Sequence, residues 1–325
     1  MVAAVRVHKH GGPEVLTYED IPVKDPGQGE VRVKNTAIGL NYLDTYYRTG
    51  LYPAPGGLPF VVGSEGAGVV VAVGPGVTEF KSGDRVAYQA GLGSYAAERI
   101  IAAERLIKLP QNIDDKTAAA MMLKGMTAAY LLKRTFAVKT GHTVLIQAAA
   151  GGTGSILCQW ARHLGATVIG TVGSKEKAEL AKAHGCHHVI NYSTENFVER
   201  VGEITKGGKC EVVYDGVGKA TFPGSLDCLK PFGMFVSFGS ASGPLDAFNL
   251  GLLAQKGSLF ATRPTLNTYA AKRESLVSLA NDLFDVVKSG AVKIEVNQTY
   301  PLKDAAKAHR DLEARKTTGS TVLIP

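Results

Sequence analysis

A glycine-rich turn is the first place where the sequence indicates chemistry. Directly after the apolar segment TVLIQ comes AAAGGTG (148–154), which has the spacing of the dinucleotide fingerprint with Ala149 in place of the first glycine. Gly151 would let the backbone approach a pyrophosphate, and Gly154 would let the next helix pack on the strand. That helix begins near Thr153, and its free N–H groups and positive dipole end attract anions. The predicted pyrophosphate contacts are Ala150, Gly151, Gly152 and Thr153.

The end of the next strand lacks the acidic residue that usually follows such a turn. Gly173 stands 24 positions after Ala149, roughly where Asp or Glu would bind an adenosine ribose 2′-hydroxyl. A carboxylate there would repel a 2′-phosphate, whereas glycine leaves room. Ser174 adds a hydroxyl at a helix N-cap, and Lys177 adds a cation that, read alone, would be an ordinary solvated helix charge. One charged hydrogen bond contributes roughly 1.5 to 3 kcal/mol. Together these features predict NADP(H) rather than NAD(H).

The elements that must position these residues are short apolar strands alternating with helices. Continuous apolar strands joined by crossover helices imply a parallel sheet covered on both faces. The predicted fold class is therefore α/β, with a doubly wound, six-stranded parallel (Rossmann) sheet. The predicted strands are 143–147, 167–172, 188–192, 211–215, 234–239 and 258–262, with a helix near 221–229.

The first part of the chain has a different pattern. Residues 1–123 contain segments such as EVRVKNTA and GVVVAVG that alternate or run apolar between Pro/Gly-rich turns, which is typical of a compact, mostly β, barrel-like domain. The nucleotide-binding domain is then expected over 124–265. The segment 266–325, with an amphipathic helix from about Lys272 to Lys288, is expected to return to the first domain because six strands already complete the nucleotide sheet.

Composition argues against several classes of protein. The formal charge of +7 is spread without the basic run of a nucleic-acid arm, so nucleic acid is an unlikely partner. The chain lacks an apolar run long enough for a membrane span and a start typical of a secretory signal, so the cytoplasm is expected. The four cysteines form no Cys-x-x-Cys pair and the histidines no metal-spaced set, so no metal site is expected.

The motifs, taken in order, resemble the medium-chain dehydrogenase/reductase superfamily and, within it, the zinc-free quinone oxidoreductases of the ζ-crystallin-like branch. The resemblance covers essentially the whole chain. It implies a GroES-like catalytic domain at the N-terminus and a homodimer formed at a sheet edge near residues 245–262. The segments that carry it are GLNYLDTYYRTGLYP (39–53), PFVVGSEGAGVVVAVGPGV (59–77), GDRVAY, KGMTAAYLL (124–132), AAAGGTG, VINY, VYDGVG, PLKDAAKAH and GSTVLIP.

Two positions depart from the zinc enzymes that the chain resembles. Alcohol dehydrogenase relatives have a zinc-ligating cysteine where this chain has Asn41, and a histidine where Ser64 precedes Glu65. The four-cysteine zinc lobe is also absent from the sequence, so neither zinc site is expected. A metal would stabilise a localised alkoxide as a Lewis acid. Without it the acceptor must disperse the charge itself, as a quinone does on becoming a hydroquinone anion. The expected reaction is zinc-independent hydride transfer from NADPH to a quinone.

The resemblance also implies the residues around the reacting atoms. It puts Asn41, Asp44, Tyr46, Tyr47 and Tyr52 near the nicotinamide, with Tyr46 and Tyr52 as candidate hydrogen-bond donors or stacking residues for the quinone. Glu65 is expected to be structural. Further cofactor contacts are implied for Thr127, Tyr130, Tyr192, Phe238, Gly239 and Ser240, although Thr127 and Phe238 could serve packing alone.

Two other functions remain open. An NADPH-dependent enone or alkenal reductase would use the same pocket chemistry, because an enone becomes a conjugated enolate. A crystallin-like structural or RNA-binding protein belongs to a different class, since folds of this kind are recruited for other roles. Rates with quinones against matched enones would separate the first alternative. Salt-dependent RNA retention without NADPH oxidation would indicate the second.

Overall fold

The computed structural model describes residues 1–245 and 247–325. The strands are β1 (Val2–Val7), β2 (Leu16–Ile21), β3 (Glu30–Leu40), β4 (Phe60–Val61), β5 (Glu65–Val73), β6 (Arg85–Gln89), β7 (Glu98–Ala102), β8 (Leu106–Lys108), β9 (Thr143–Ile146), β10 (Thr167–Val172), β11 (His188–Asn191), β12 (Cys210–Asp215), β13 (Leu229–Ser237), β14 (Phe260–Thr262), β15 (Val296–Pro301) and β16 (Ser320–Ile324). The α-helices are α1 (Tyr42–Thr49), α2 (Asp115–Tyr130), α3 (Gly152–His163), α4 (Lys175–Ala183), α5 (Phe197–Ile204), α6 (Gly224–Asp227), α7 (Gly251–Gln255), α8 (Leu266–Tyr269), α9 (Arg273–Lys288) and α10 (Ala305–Glu313).

The chain divides into two compact units. Unit 1 comprises Met1–Lys124, Lys272–Asn281 and Ile294–Pro325, and unit 2 comprises Gly125–Ala271 and Asp282–Lys293. Among the described residues no helix is both long and apolar enough to cross a membrane.

Unit 2 is built on a six-stranded sheet with the order β11-β10-β9-β12-β13-β14. Every neighbouring pair in it is parallel, which confirms the predicted doubly wound α/β fold. The central strand β9 is a continuous apolar run, and Val144, Leu145 and Ile146 are fully buried because helices cover both faces. The carboxyl ends of β9, β10 and β12 therefore lie side by side at one edge of the sheet.

The predicted bounds differ from the structure mainly at the far end of this sheet. The helix expected near 221–229 is only the short α6, and β13 begins at Leu229 instead of residue 234. Its pairing with β12 is irregular, and Phe232 has a φ of +63° within the strand. The last strand starts at Phe260 instead of residue 258, because Ser258 has a φ of +55°, which is incompatible with an extended strand.

Unit 1 is mostly β, as expected. Its larger sheet has the order β15-β16-β3-β5-β6-β8, with β7 also paired to β3, and β2-β1-β4 form a smaller sheet. The C-terminal strand β16 pairs antiparallel with β3, bringing Thr321 opposite Leu40. One hydrophobic core of the unit includes Val7, Ile38 and Leu323, so the end of the chain packs with its beginning.

Candidate active site

The phosphate turn in unit 2 has the shape that its glycines predict. A Cβ atom on Gly154 would lie 2.2 Å from the Ala148 carbonyl oxygen, and one on Gly151 would lie 3.2 Å from it. Helix α3 begins at Gly152 with Gly151 as its N-cap, so the N–H groups of its first turn have no partner within the helix. Ala148 has a φ of +55°, a left-handed conformation that favours glycine. The predicted residues Ala150, Gly151, Gly152 and Thr153 thus form one continuous turn that leads into the start of α3.

A buried polar network holds this turn against the sheet. The Thr171 hydroxyl donates to Gln147 Oε1 at 2.5 Å and accepts from the Ala148 N–H at 3.3 Å. Gln147 Nε2 donates to Ser225 Oγ at 3.1 Å, and Ser225 Oγ donates to Asp215 Oδ2 at 2.8 Å. Gln147 follows β9, Thr171 lies near the end of β10 and Asp215 ends β12, while Ser225 lies in α6. The network therefore links the three carboxyl ends that carry the turn.

The end of β10 carries the residues predicted to face the adenosine ribose. A Cβ on Gly173 would lie 2.5 Å from the Tyr192 hydroxyl oxygen, so glycine is required for Tyr192 to pack there. Ser174 is the N-cap of α4 and accepts from the Lys177 backbone N–H at 3.3 Å. The structure therefore brings together Gly173, Ser174, Tyr192 and the first turn that carries Lys177.

Glu176, which sequence reasoning missed, lies at the same helix start. Its carboxylate is exposed and bonds with the Ser174 hydroxyl. Its own backbone N–H and Ser174 hold the pKa of Glu176 below the usual range. The start of α4 therefore already binds an anionic group of the chain itself, and no residue of the strand end itself supplies the acid typical of an NAD site.

Phe238, Gly239 and Ser240 follow β13 and pack around Gly216. A Cβ on Gly239 would lie 2.4 Å from the Gly216 carbonyl oxygen, and one on Gly216 would lie 2.9 Å from the Phe238 ring. Arg263, another residue that the sequence did not reveal, donates to the Gly239 carbonyl at 2.8 Å and to Ser240 Oγ at 3.2 Å. The only sequence signal for Arg263 is that a basic residue directly follows β14, the last strand of the unit 2 sheet.

Thr127 and Tyr130 lie on α2 and share a side-chain hydrogen bond. The Tyr130 ring stacks on Tyr269 with centroids 4.6 Å apart and an interplanar angle of 8°. Burial raises the pKa of Tyr130, so its hydroxyl stays protonated. The pair belongs to unit 2, and the structure shows Tyr130 as a packed ring rather than an exposed one.

In unit 1, Asn41 belongs to a buried polar group centred on Glu65. Asn41 Nδ2 donates to Glu65 Oε2 at 2.8 Å, and the Lys124 ammonium donates to the same oxygen at 3.3 Å. The Leu123 N–H donates to Glu65 Oε1 at 2.7 Å. A Cβ on Gly39 would lie 2.3 Å from Glu65 Oε2, so glycine leaves the space that the carboxylate fills. Three donors thus bond to the Glu65 carboxylate, which fits the structural role expected for it.

Asp44 ends a second buried chain of hydrogen bonds. Arg48 donates to His309 Nδ1 at 2.9 Å, which leaves the proton of the neutral ring on Nε2. Nε2 then donates to the Tyr95 hydroxyl oxygen at 3.0 Å, and Tyr95 donates to Asp44 Oδ2 at 3.0 Å. The Asn41 N–H also donates to Oδ2, at 2.9 Å. Every donor in the chain therefore points toward Asp44.

Burial shifts the protonation of both ends of this chain. It lowers the pKa of His309 to about 3, helped by the nearby Arg48, so the ring is neutral. It raises the pKa of Asp44 to about 7, against the stabilising hydrogen bonds from Asn41 and Tyr95. Asp44 Oδ1 is buried and has no hydrogen-bond partner in the part of the chain that is described. A proton on Asp44 would therefore reside on Oδ1.

Three tyrosines of the predicted site form an aromatic group next to these chains. Tyr46 and Tyr52 have ring centroids 5.2 Å apart, and Tyr47 meets Tyr52 edge-on at 6.0 Å. The Tyr52 N–H donates to the Tyr46 carbonyl at 3.0 Å, which ties the segment after α1 to the helix. Tyr46 is buried, whereas Tyr47 and Tyr52 are partly exposed. The family resemblance named these three tyrosines, but the sequence did not reveal the buried hydrogen bonds of Lys124, Tyr95, His309 and Arg48.

No group of three or more His, Cys, Asp and Glu side chains able to hold a metal ion occurs within residues 1–245 and 247–325. Asn41 and Ser64 stand at the two positions where the sequence resemblance implied zinc ligands in other enzymes, and Asn41 is hydrogen-bonded to Glu65.

Two family models match the chain. The alcohol dehydrogenase GroES-like domain matches residues 27–111, and the zinc-binding dehydrogenase model matches residues 152–273. A quinone oxidoreductase of Pseudomonas aeruginosa is 56% identical over 100% of both chains. A 2-haloacrylate reductase of a Burkholderia species is 52% identical, covering 100% of this chain and 99% of the relative. The solved structure of Escherichia coli quinone oxidoreductase in complex with NADPH superposes with a TM-score of 0.97 at 50% identity, covering 99% of this chain and 100% of that one.

Proposed function

The chain belongs to the quinone oxidoreductases of the medium-chain dehydrogenase/reductase superfamily, and from that premise we propose that it is an NADPH:quinone oxidoreductase that transfers hydride without zinc. The observation that carries the cofactor assignment is the anion-binding position at the start of α4. Position 173 carries no carboxylate, Ser174 caps the helix, and a carboxylate of the chain already bonds with Ser174. The relative from Escherichia coli was solved with NADPH, which supports the same choice.

The residues of unit 2 fit this cofactor. The N–H groups at the start of α3 would bind the pyrophosphate, with Gly151 and Gly152 allowing close approach. Ser174 and Lys177 would bind the 2′-phosphate, and Tyr192 would lie against the adenosine. Phe238, Gly239 and Ser240 would contact the nicotinamide ribose, with Thr127 and Tyr130 on the same cofactor. When bound, NADPH supplies the hydride.

The residues of unit 1 would form the substrate end of the site. We assign Asn41 to the nicotinamide end, where Glu65 fixes its amide. Tyr46 and Tyr52 would contact the quinone ring or donate to its oxygen. Asp44 is fully buried, so in this proposal it acts behind the surface by holding Asn41 and a titratable proton. The two units are proposed as the catalytic domain and the NADP-binding domain.

A screen of NADPH oxidation tests this function. Purified protein is given quinones, enones and unactivated ketones, and NADP⁺ with simple alcohols, each with and without a chelator. We expect turnover with quinones that the chelator does not change. Turnover confined to an alcohol or a simple ketone, or abolished by the chelator, would overturn the proposal.

One relative favours a second candidate. The 2-haloacrylate reductase, at 52% identity, is named for reducing a conjugated alkene rather than a quinone. An NADPH-dependent enone or alkenal reductase therefore remains the second proposal. Comparing kcat/KM for a quinone with that for an enone of similar size decides between the two.

We also propose a cytoplasmic homodimer. Strand β14 ends the sheet order of unit 2, and Phe260 on it is 56% exposed, so a second copy could pair at this edge. Residue 246, within the region expected to pair, lies outside the described residues. Light scattering of the wild-type protein and of Phe260→Lys tests the assembly. A dimer that the substitution converts to monomer is expected, and a wild-type monomer would contradict it.

A further inference from the structure

Lys124 is a buried cation. Its side chain is only 8% exposed, and the Glu65 side chain that faces it is fully buried. Removing an ammonium and a carboxylate from water costs several kcal/mol per ion, which their attraction offsets only when the geometry is good. Glu65 already has a backbone and an amide donor, so stability alone gives little reason for a charged residue at position 124.

The Lys124 ammonium has hydrogen-bonding capacity that the chain does not use. An ammonium carries three N–H donors. Within residues 1–245 and 247–325 its only hydrogen-bond acceptor is Glu65 Oε2, at 3.3 Å, a longer contact than the 2.8 Å from Asn41 to the same oxygen. Glu65 therefore holds the ammonium in place and leaves two of its N–H groups for another acceptor.

The side chains beside Lys124 are acidic. Glu65 is negative, and Asp44 is near enough to both for their charges to affect its pKa. Asp44 titrates near neutral pH, so the three groups together carry a net charge between zero and −1. A further negative charge at this site needs a cation beside it, and among these three Lys124 is the one that supplies it.

The reaction produces such a charge. An acceptor that gains hydride gains two electrons and one hydrogen nucleus: the C–H bond of the donor breaks, an O–H bond forms at one quinone oxygen, and the negative charge collects on the other oxygen. A proton from solvent then completes the hydroquinone. A preorganised donor aimed at that oxygen stabilises the transition state more than the ground state.

We propose that the Lys124 ammonium is a catalytic residue of this chain: it donates to the substrate oxygen that becomes negative, while Glu65 holds it in position. This assignment rests on the proposed function and names the group that takes part of the charge which the acceptor would otherwise disperse alone. The same role applies to a quinone oxygen and to an enolate oxygen. In this proposal Lys124 acts by charge and hydrogen bonding.

The test uses two quinones of similar size and different electron demand, 2-methyl- and 2-chloro-1,4-benzoquinone. The double variant Lys124→Met/Glu65→Gln removes both charges together, so no unpaired ion is left buried. We expect kcat with the methylquinone to fall by about 10²- to 10³-fold, the loss typical of one oxyanion donor. The loss with the chloroquinone should be several-fold smaller, because that ring stabilises its own anion better.

A structural role would change this comparison differently. If Lys124 only supported the fold, both quinones would lose rate by the same factor, and that result, like an unchanged rate, would overturn the proposal. The Kd for NADPH, measured by fluorescence, should be unchanged in the double variant. Lys230→Met/Glu211→Gln, which removes a pair 2.5 Å apart in unit 2, is the control and should show equal rates relative to wild type for both quinones.

Two further results keep the outcomes distinct. If the double variant fails to fold by circular dichroism, Lys124→Gln, which keeps a donor toward Glu65, provides the same comparison of quinones. If wild-type protein reduces neither quinone, the proposed function fails rather than the role of Lys124 within it.

Discussion

The glycine-rich turn of unit 2 and the polar group of unit 1 present hydrogen-bond donors in opposite ways. The turn uses backbone N–H groups, a helix N-terminus and glycines within residues 147–155, with few charges of its own. The unit 1 group uses side-chain ions that are buried and far apart in sequence, such as Glu65, Lys124 and Arg48. The first should be sensitive to shape, and the second to protonation.

Under the proposed function, the difference follows from what each region would bind. A pyrophosphate keeps its charge throughout the reaction, so fixed dipoles suit it. The acceptor gains negative charge only as it reacts, so a donor that stabilises this charge must already be held in position before the reaction starts. The following substitutions separate these two behaviours.

The largest effect is expected at Asp44, where burial raises the pKa to about 7. The unfolded state releases this proton near pH 4 and the folded state only near pH 7, so the unfolded state binds fewer protons between them and stability falls as pH rises. From about pH 5 to about pH 8, wild type should lose about 3 kcal/mol relative to Asp44→Asn. Denaturant unfolding of both proteins across this range checks it.

His309 titrates in the opposite direction. Its folded pKa of about 3 lies below its unfolded value, so it contributes stability above about pH 6.5 that is lost as pH falls toward 3. The two effects oppose each other in wild type, and Asp44→Asn should therefore expose the loss on acidification. A free-energy difference between wild type and Asp44→Asn that stays constant with pH would mean that Asp44 is not held as a buried acid.

Gly154 tests the dependence of the turn on shape. Alanine there places a Cβ 2.2 Å from the Ala148 carbonyl oxygen, so we expect Gly154→Ala to lower the free energy of unfolding by about 2 kcal/mol and to weaken NADPH binding. This loss should not vary between about pH 5 and about pH 8. Gly202→Ala is the matched control, because a Cβ there meets nothing within 4 Å, and it should be neutral or stabilising. If the two variants had the same stability and the same affinity for NADPH, the close approach of Gly154 to the Ala148 carbonyl oxygen would not matter for either property.

Ala148 tests whether the turn is strained. Its φ of +55° is unfavourable for alanine, so Ala148→Gly should raise the free energy of unfolding by up to about 1 kcal/mol. Ala178→Gly, within α4, should instead lower it by about 0.5 to 1 kcal/mol. Thermal unfolding of the pair, compared with wild type, shows whether the two substitutions have opposite signs.

Glu176 should give the smallest effect. Its carboxylate bonds with Ser174 and adds negative charge beside the proposed 2′-phosphate position. Glu176→Gln should therefore bind NADPH a few-fold more tightly, with NADH unchanged, in a fluorescence titration. Glu179→Gln, on the same helix and also exposed, provides the control. If Glu176→Gln bound NADPH and NADH more tightly by the same factor, Glu176 would not act on the 2′-phosphate.

The same contrast explains what the sequence could predict. The six strands, the turn and the helix start after Gly173 depend on neighbouring residues, so their periodicity and spacing indicated them. The chain from Arg48 through His309 joins residues 261 positions apart, and no local pattern pairs them. Lys124 lay within a recognised motif, but its contact with Glu65 depends on the packing of α2 against β5. The predicted bounds of β13 and β14 were wrong because Phe232 and Ser258 have positive φ angles, which the sequence did not indicate.

The preference of the enzyme for NADPH over NADH is the sharpest test of the proposed NADPH-dependent function. With one quinone held fixed, kcat/KM should favour NADPH by about one to two decades, the range that a charged hydrogen bond to the 2′-phosphate supplies. Lys177→Ala should remove most of that preference by lowering kcat/KM with NADPH, while kcat/KM with NADH stays the same. If wild type showed equal kcat/KM for the two cofactors, or preferred NADH, the proposed 2′-phosphate site at Ser174 and Lys177 would be wrong.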